Sequence, residues 1–128
     1  MSDLLSLAQT VAERAYAPYS AYQVGCALET SAGQIYTGCN VENASYGLTI
    51  CAERNAVFRA VAEEGPSLKI ARLSVVCLGH EFPPCGACRQ VIAEFSLPHG
   101  ATEVTFLRDG RPVTMTIAEL LPATFALT

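Results

Sequence analysis

The sequence predicts an α/β protein: a three-layer α/β/α sandwich around a mixed five-stranded sheet. Segments with helical spacing alternate along the chain with short apolar runs. Two pairs of strand-like segments are joined by glycine-containing turns, and one central run is apolar on both faces.

Residues 3–17 place Leu4, Leu7, Ala8, Val11, Ala12 and Ala15 at i, i+3, i+4 spacing. This predicts an amphipathic helix with Ser2 as its N-cap and Pro18 just past its end. Segments 23–29 and 34–39, separated by Thr30-Ser31-Ala32-Gly33, read as a β-hairpin. Residues 40–49 are polar and irregular. Helical spacing returns over 51–64 through Ala52, Ala56, Val57, Ala60 and Val61, and Gly65-Pro66 stops it. The run Leu73, Val75, Val76, Cys77, Leu78 within 71–78 predicts a strand buried on both faces. After Pro83-Pro84, residues 86–96 read as a helix with Val91, Ile92 and Phe95 on one side. Strands at 103–108 and 112–116 flank the turn dipeptide Asp109-Gly110, and a short helix follows at 117–121.

A chain of 128 residues is expected to form one domain over 1–128 and to bury about two-thirds of its unfolded surface. Hydrophobic residues make up 51% and charged residues 16%, so part of the apolar surface is expected to meet another subunit. A net charge of −4 and a pI near 5.0 disfavour nucleic acid as a partner, which would call for a basic stripe. The longest uncharged run, 15–28, is broken by Pro18 and too short for a bilayer, and Met-Ser-Asp starts no basic leader. These features read as a cytoplasmic protein with no membrane partner.

Six cysteines without a secretory signal point to metal binding before disulfides. Cys26, Cys39 and Cys77 fall in strand-like segments and read as core. Cys51, Cys85 and Cys88 do not. Cys85 and Cys88 are spaced i, i+3, which puts both sulfurs on one side of a first helical turn. No fourth cysteine or histidine completes a tetrahedron in either cluster, as a structural zinc site would require. Glu53, two residues after Cys51, points about 200° around a helix from that thiol, near the metal but off the ligand face. The pattern is three zinc ligands, one open position and an acid beside it. Zinc lowers the pKa of water in such an open position towards roughly 7, which points to hydrolytic chemistry. Both clusters fall at predicted helix N-termini, where free N–H groups and the dipole favour thiolates. A Cys-x-x-Cys pair alone also occurs in redox motifs and zinc ribbons, but the upstream Cys-x-Glu and Pro84 make the combination specific. His80 and His99 lie outside any ligand motif and read as loop residues.

Gly38-Cys39-Asn40-Val41-Glu42-Asn43-Ala44, Cys51-Ala52-Glu53-Arg54 and Pro84-Cys85-Gly86-Ala87-Cys88-Arg89-Gln90 together closely resemble the small homotetrameric, zinc-dependent cytidine deaminases, over about 19–125. The resemblance implies that Cys51, Cys85 and Cys88 hold one Zn2+ per subunit. It gives Glu53 the proton transfers and Arg54 and Gln90 hydrogen bonds to the thiolates. It makes Asn40 and Glu42 the pair that reads the 3'-hydroxyl of the sugar, and the Ala52 N–H the partner of the base's O2. Tyr22 stands where the family usually has Phe, and Gln23 replaces a common Pro. By the same resemblance Phe125 stacks on the base from a neighbouring subunit and Tyr46 reaches across the interface. The implied reaction is hydrolytic deamination of cytidine and 2'-deoxycytidine, in pyrimidine salvage, by a homotetramer with shared active sites. Blasticidin S deaminases carry similar signatures, but Asn40-Val41-Glu42-Asn43 followed by Ala44-Ser45-Tyr46 favours a nucleoside enzyme. A polynucleotide deaminase would need an aromatic and basic groove. A zinc-stabilised binding module would leave the acid beside an incomplete tetrahedron without a use.

Overall fold

The computed structural model describes residues 3–127. Its elements are α1 (Leu4–Ala12), β1 (Val24–Thr30), β2 (Ile35–Cys39), α2 (Ala52–Glu64), β3 (Ile70–Cys77), α3 (Gly86–Glu94), β4 (Glu103–Arg108), β5 (Arg111–Thr116) and α4 (Ile117–Leu120). The strands form one five-stranded sheet in the order β2-β1-β3-β4-β5. Only β3 and β4 run parallel; the other neighbours are antiparallel, so the sheet is mixed as the sequence predicts. The two antiparallel hairpins account for the tight turns, and α3 supplies the crossover that a parallel pair needs.

The strand period of two divides the core into two layers. On one face, Leu4 and Ala8 of α1 pack against Ala27 and Val76. On the other, Cys26, Leu28, Leu73, Val75, Val104 and Phe106 meet Ala56, Val57, Ala60, Ile92 and Ile117 from α2, α3 and α4. Phe106, Leu28 and Leu73 are among the largest fully buried side chains, each contributing about 1.5–3 kcal/mol by burial. Cys26 and Cys77 are buried in the core as expected, whereas Cys39, at the end of the outer strand β2, is only half-buried.

Two glycines let the layers close. A Cβ on Gly25 would sit 1.9 Å from the Ala8 carbonyl oxygen of α1, and one on Gly38 would sit 2.5 Å from the Ala56 nitrogen of α2. Each helix therefore lies directly on strand backbone, with no room for a side chain between.

Two helix ends differ from the sequence reading by more than one residue. The first helix ends at Ala12 rather than at 17, because Tyr16 pairs with another part of the chain: its N–H donates to the Asn40 carbonyl and its own carbonyl accepts from Glu42 N–H. Similarly α3 stops at Glu94, since the Phe95 carbonyl is taken by Ile70 N–H at 2.8 Å. At the other end of α1, Asp3 is the N-cap, accepting from Leu5 and Ser6 N–H. Ser2, the expected cap, lies outside the described residues. No helix among the described residues is long and apolar enough to cross a membrane.

Candidate active site

The site is assembled where β1 starts, β2 ends and two helices begin. Residues 42–49 form a loop closed at its neck by paired hydrogen bonds between Val41 and Ile50, at 3.0 and 3.1 Å. That closure brings Asn40 and Glu42 next to Cys51. The Asn55 side chain then donates to the Cys39 carbonyl at 2.8 Å, tying the first turn of α2 to the end of β2.

Cys51 is the N-cap of α2 and Cys85 the N-cap of α3. Their sulfurs and that of Cys88 all lie within 4.8 Å of one another, a grouping that can hold a metal ion. Cys85 Sγ accepts from Cys88 N–H at 3.4 Å, and Arg54 Nη2 donates to Cys51 Sγ at 3.3 Å. Arg54 Nε is buried without a hydrogen-bond partner among the described residues. A guanidinium with its Nε buried and unpaired among the described residues calls for concentrated negative charge, which three thiolates around a soft cation would supply, so the donor set fits zinc. The hydrogen bond from Cys88, aided by the Arg54 charge, holds Cys51 down to about 5 against the opposing effect of burial. Cys88, which gives that hydrogen bond, is pushed up: the pair shares a proton that a metal would displace.

Glu53 is 4% exposed, and burial lifts its carboxyl to about 7, with the Cys51 charge acting in the same direction. It lines a cavity of about 370 Å³ together with Cys51, Cys85, Ala52, Asn40 and Glu42. Tyr22 also lines that cavity, as do Val24, Thr49, Phe82 and Pro83, which the sequence reading did not single out. Phe82 follows no motif, and only its proximity to Pro84-Cys85 could have pointed to it. Tyr22 stacks on His80 at 4.2 Å between ring centroids and on Phe82 at 6.2 Å, so His80 is a loop residue that braces a wall.

Asn40 and Glu42 are both buried and both engaged by backbone. Asn40 Oδ1 accepts from Val24 N–H and its Nδ2 donates to the Tyr22 carbonyl, each at 2.8 Å. Glu42 Oε1 accepts from the N–H groups of Tyr19 and Ser20, at 2.9 and 3.1 Å, and Oε2 accepts from the Ser20 hydroxyl. The Ser20 hydroxyl holds the Glu42 carboxyl below its ordinary value, with the two N–H groups adding to the effect.

The region 1–103 matches the family model described as the cytidine and deoxycytidylate deaminase zinc-binding region. The chain belongs to this deaminase family. A cytidine deaminase of Sporosarcina psychrophila is 46% identical over 125 residues, covering 96% of this chain and 89% of that one. A cytidine deaminase of Mycobacterium tuberculosis is 42% identical over 120 residues, 94% of this chain and 85% of its own. Among solved structures, a cytidine deaminase from Burkholderia pseudomallei superposes with a TM-score of 0.86 at 42% identity, covering 98% of this chain and 100% of that one. The family model is that of a zinc-binding region, and the grouping of Cys51, Cys85 and Cys88 can hold a metal ion, which together support a zinc cofactor.

Three of the residues implied by resemblance to this deaminase family lie apart from the cavity. Gln90 was expected at the thiolates, but its Nε2 donates to the Phe125 carbonyl at 3.2 Å. Two residues beyond Cys88 on α3, it points about 200° around the helix from that sulfur. Phe125 is 69% exposed and Tyr46 is 75% exposed. Tyr46 borders an adjoining hollow with Tyr19, Ser20, Glu42 and Thr49, while Phe125 lines neither.

Proposed function

We propose that the protein hydrolytically deaminates cytidine and 2'-deoxycytidine, giving uridine and 2'-deoxyuridine and releasing ammonia, with Cys51, Cys85 and Cys88 holding one zinc ion per subunit. The observation that carries this is the cavity in which Glu53, Cys51 and Cys85 meet Asn40 and Glu42. Proton-transfer chemistry and hydroxyl-reading groups share one space, of a volume in the usual range for small ligands.

When bound, the metal supplies Lewis acidity that makes a water nucleophilic at neutral pH. Glu53 handles the protons: its carboxylate takes one from the attacking water and passes it to N3 of the base, then takes the second from the hydroxyl now on C4 and delivers it to the departing amine, so that ammonia leaves and the C4 carbonyl forms. Burial that brings this carboxyl to about 7 keeps both forms within reach near neutrality. The Ala52 N–H, in the first turn of α2, has no intrahelical acceptor and donates to the base's O2. Arg54 steadies the thiolates.

The free hydrogen-bonding capacity around the sugar pair supports both substrates. An amide nitrogen has two donors and a carboxylate about four acceptor positions. Asn40 uses one donor on Tyr22, and Glu42 uses three acceptor positions on Tyr19 and Ser20. One donor on Asn40 and one acceptor position on Glu42 remain, beside a second lone pair on Asn40 Oδ1, which is enough for a single sugar hydroxyl that both donates and accepts. The 3'-hydroxyl is common to both nucleosides. Glu42 and Glu53 are the charged residues along the cavity and its adjoining hollow, with no Lys or Arg among the described lining residues. A 5'-phosphate would meet like charge.

The same reading makes the protein a cytoplasmic single-domain homotetramer acting in pyrimidine salvage. Exposed Tyr16, Tyr19, Tyr46, Leu48, Phe58 and Phe125 support the assembly. Tyr46 and Phe125 complete the cavities of neighbouring subunits. The test is ultraviolet monitoring of zinc-quantified protein with cytidine, 2'-deoxycytidine, cytidine monophosphate and blasticidin S in parallel. Conversion of the two nucleosides alone is expected; turnover of blasticidin S alone would overturn the roles of Asn40 and Glu42.

A further inference from the structure

Glu42 is caged by the loop that precedes β1. Residues 17–21 form a turn closed by Ala21 N–H donating to the Ala17 carbonyl at 3.0 Å, with Ala21 in the left-handed region at φ 63°. Within this turn three donors at the tip point to one carboxylate: the N–H groups of Tyr19 and Ser20 to Oε1, and the Ser20 hydroxyl to Oε2. The Ser20 hydroxyl has a fixed polarity. Its oxygen accepts from Tyr22 N–H at 3.0 Å, so its single hydrogen is left to Glu42.

We propose that Ser20 is a positioning residue for nucleoside recognition, fixing the Glu42 carboxylate so that one acceptor position on Oε2 remains for one sugar hydroxyl in the cavity. This rests on the reading of Glu42 as the sugar-binding acid. Without the Ser20 hydroxyl, Oε2 has two open positions and the carboxylate is held through Oε1 alone, free to turn about that contact. Ser20 also ties Tyr22 to Glu42 through one oxygen, so the aromatic wall and the acid are set by the same group. A hydroxyl donating to a carboxylate is a charge-assisted hydrogen bond, among the stronger ones available.

The experiment measures kcat/KM for the zinc-loaded protein with cytidine, 2'-deoxycytidine and 2',3'-dideoxycytidine, the last lacking the 3'-hydroxyl. Ser20→Ala is expected to lower kcat/KM about tenfold for the first two and less than about twofold for the third. Ser20→Thr, which keeps the hydroxyl, is expected to restore most of the loss, and Ser20→Cys, a weaker donor of similar shape, to fall between. A loss equal on all three substrates would mean that Ser20 serves only the loop, and would overturn the proposal. So would Ser20→Ala kinetics equal to wild type. Glu42→Gln is run alongside: if its loss does not depend on the 3'-hydroxyl, the sugar-reading role of Glu42 itself is wrong. If its loss does depend on it while Ser20→Ala is silent, only the Ser20 proposal fails. Should Ser20→Ala fold poorly, Ser20→Cys against Ser20→Thr carries the same substrate comparison.

Discussion

Arg54 Nη2 sits 3.3 Å from Cys51 Sγ across one turn of α2, and the Nε of the same guanidinium is buried without a hydrogen-bond partner among the described residues. A three-thiolate zinc carries net negative charge, and this arginine is the cation nearest to offset it. Arg54→Ala is expected to weaken zinc binding by about 10- to 100-fold, the usual range for groups that orient metal ligands. Competition with a chromogenic chelator measures it; unchanged affinity would make Arg54 an ordinary helix residue.

Removing the acid without disturbing the metal separates chemistry from assembly. Glu53→Gln is expected to keep full zinc occupancy by elemental analysis and to lose at least about 10²- to 10⁴-fold in turnover. A zinc-loaded variant with near-normal rate would take Glu53 out of the mechanism.

The two contact glycines should separate stability from metal binding. In either substitution by alanine, the new methyl meets helix backbone that cannot swing aside, so a loss of about 1–3 kcal/mol or more is expected. Gly25→Ala displaces α1, which carries no site residue, and should lower Tm with zinc affinity intact. Gly38→Ala pushes on Ala52 and Ala56 in the first turns of α2, so it should lower both. Equal zinc affinity in the two variants would show that α2 can move without carrying Cys51.

The depressed carboxyl of Glu42 sets a pH window. A group that binds its proton less tightly when folded stabilises the fold above its unfolded value, near 4.5, and loses that contribution as pH falls through the lower folded value. The Tm gap between wild type and Glu42→Gln should therefore hold from neutrality to about pH 5 and close at lower pH. Acid loss of zinc affects both proteins and cancels in the difference. A gap of constant size at every pH would mean that Glu42 stabilises by packing alone.

Much of this was legible in the sequence because it is written in local patterns. The hairpin at Thr30-Ser31-Ala32-Gly33, the double-sided run around Val75 and the helix starts at Cys51 and Cys85 each depend on residues within a few positions. What the sequence hid depends on contacts between distant segments. Tyr16 leaves its helix to pair with residues 40–42, Ser20 reaches Glu42, and Tyr22 stacks on His80 and Phe82. No periodicity encodes these, since each joins two irregular loops. Gln90 is placed for a simpler reason: two steps along α3 turn it away from the sulfur of Cys88, and its Nε2 donates to the Phe125 carbonyl.

Cys51 and Cys85 open two helices that pack against each other, with a whole strand of the sheet between them in the chain. A metal gripped by both is thus a clasp on the seam between α2 and α3. The hairpins secure the sheet without it, and the Asn55 bond to the Cys39 carbonyl holds the start of α2 to β2, while a bound ion would add a fastening across the seam itself. Stripped of zinc, the molecule should part first along that seam, so the holoprotein becomes rigid at the same moment that it becomes competent.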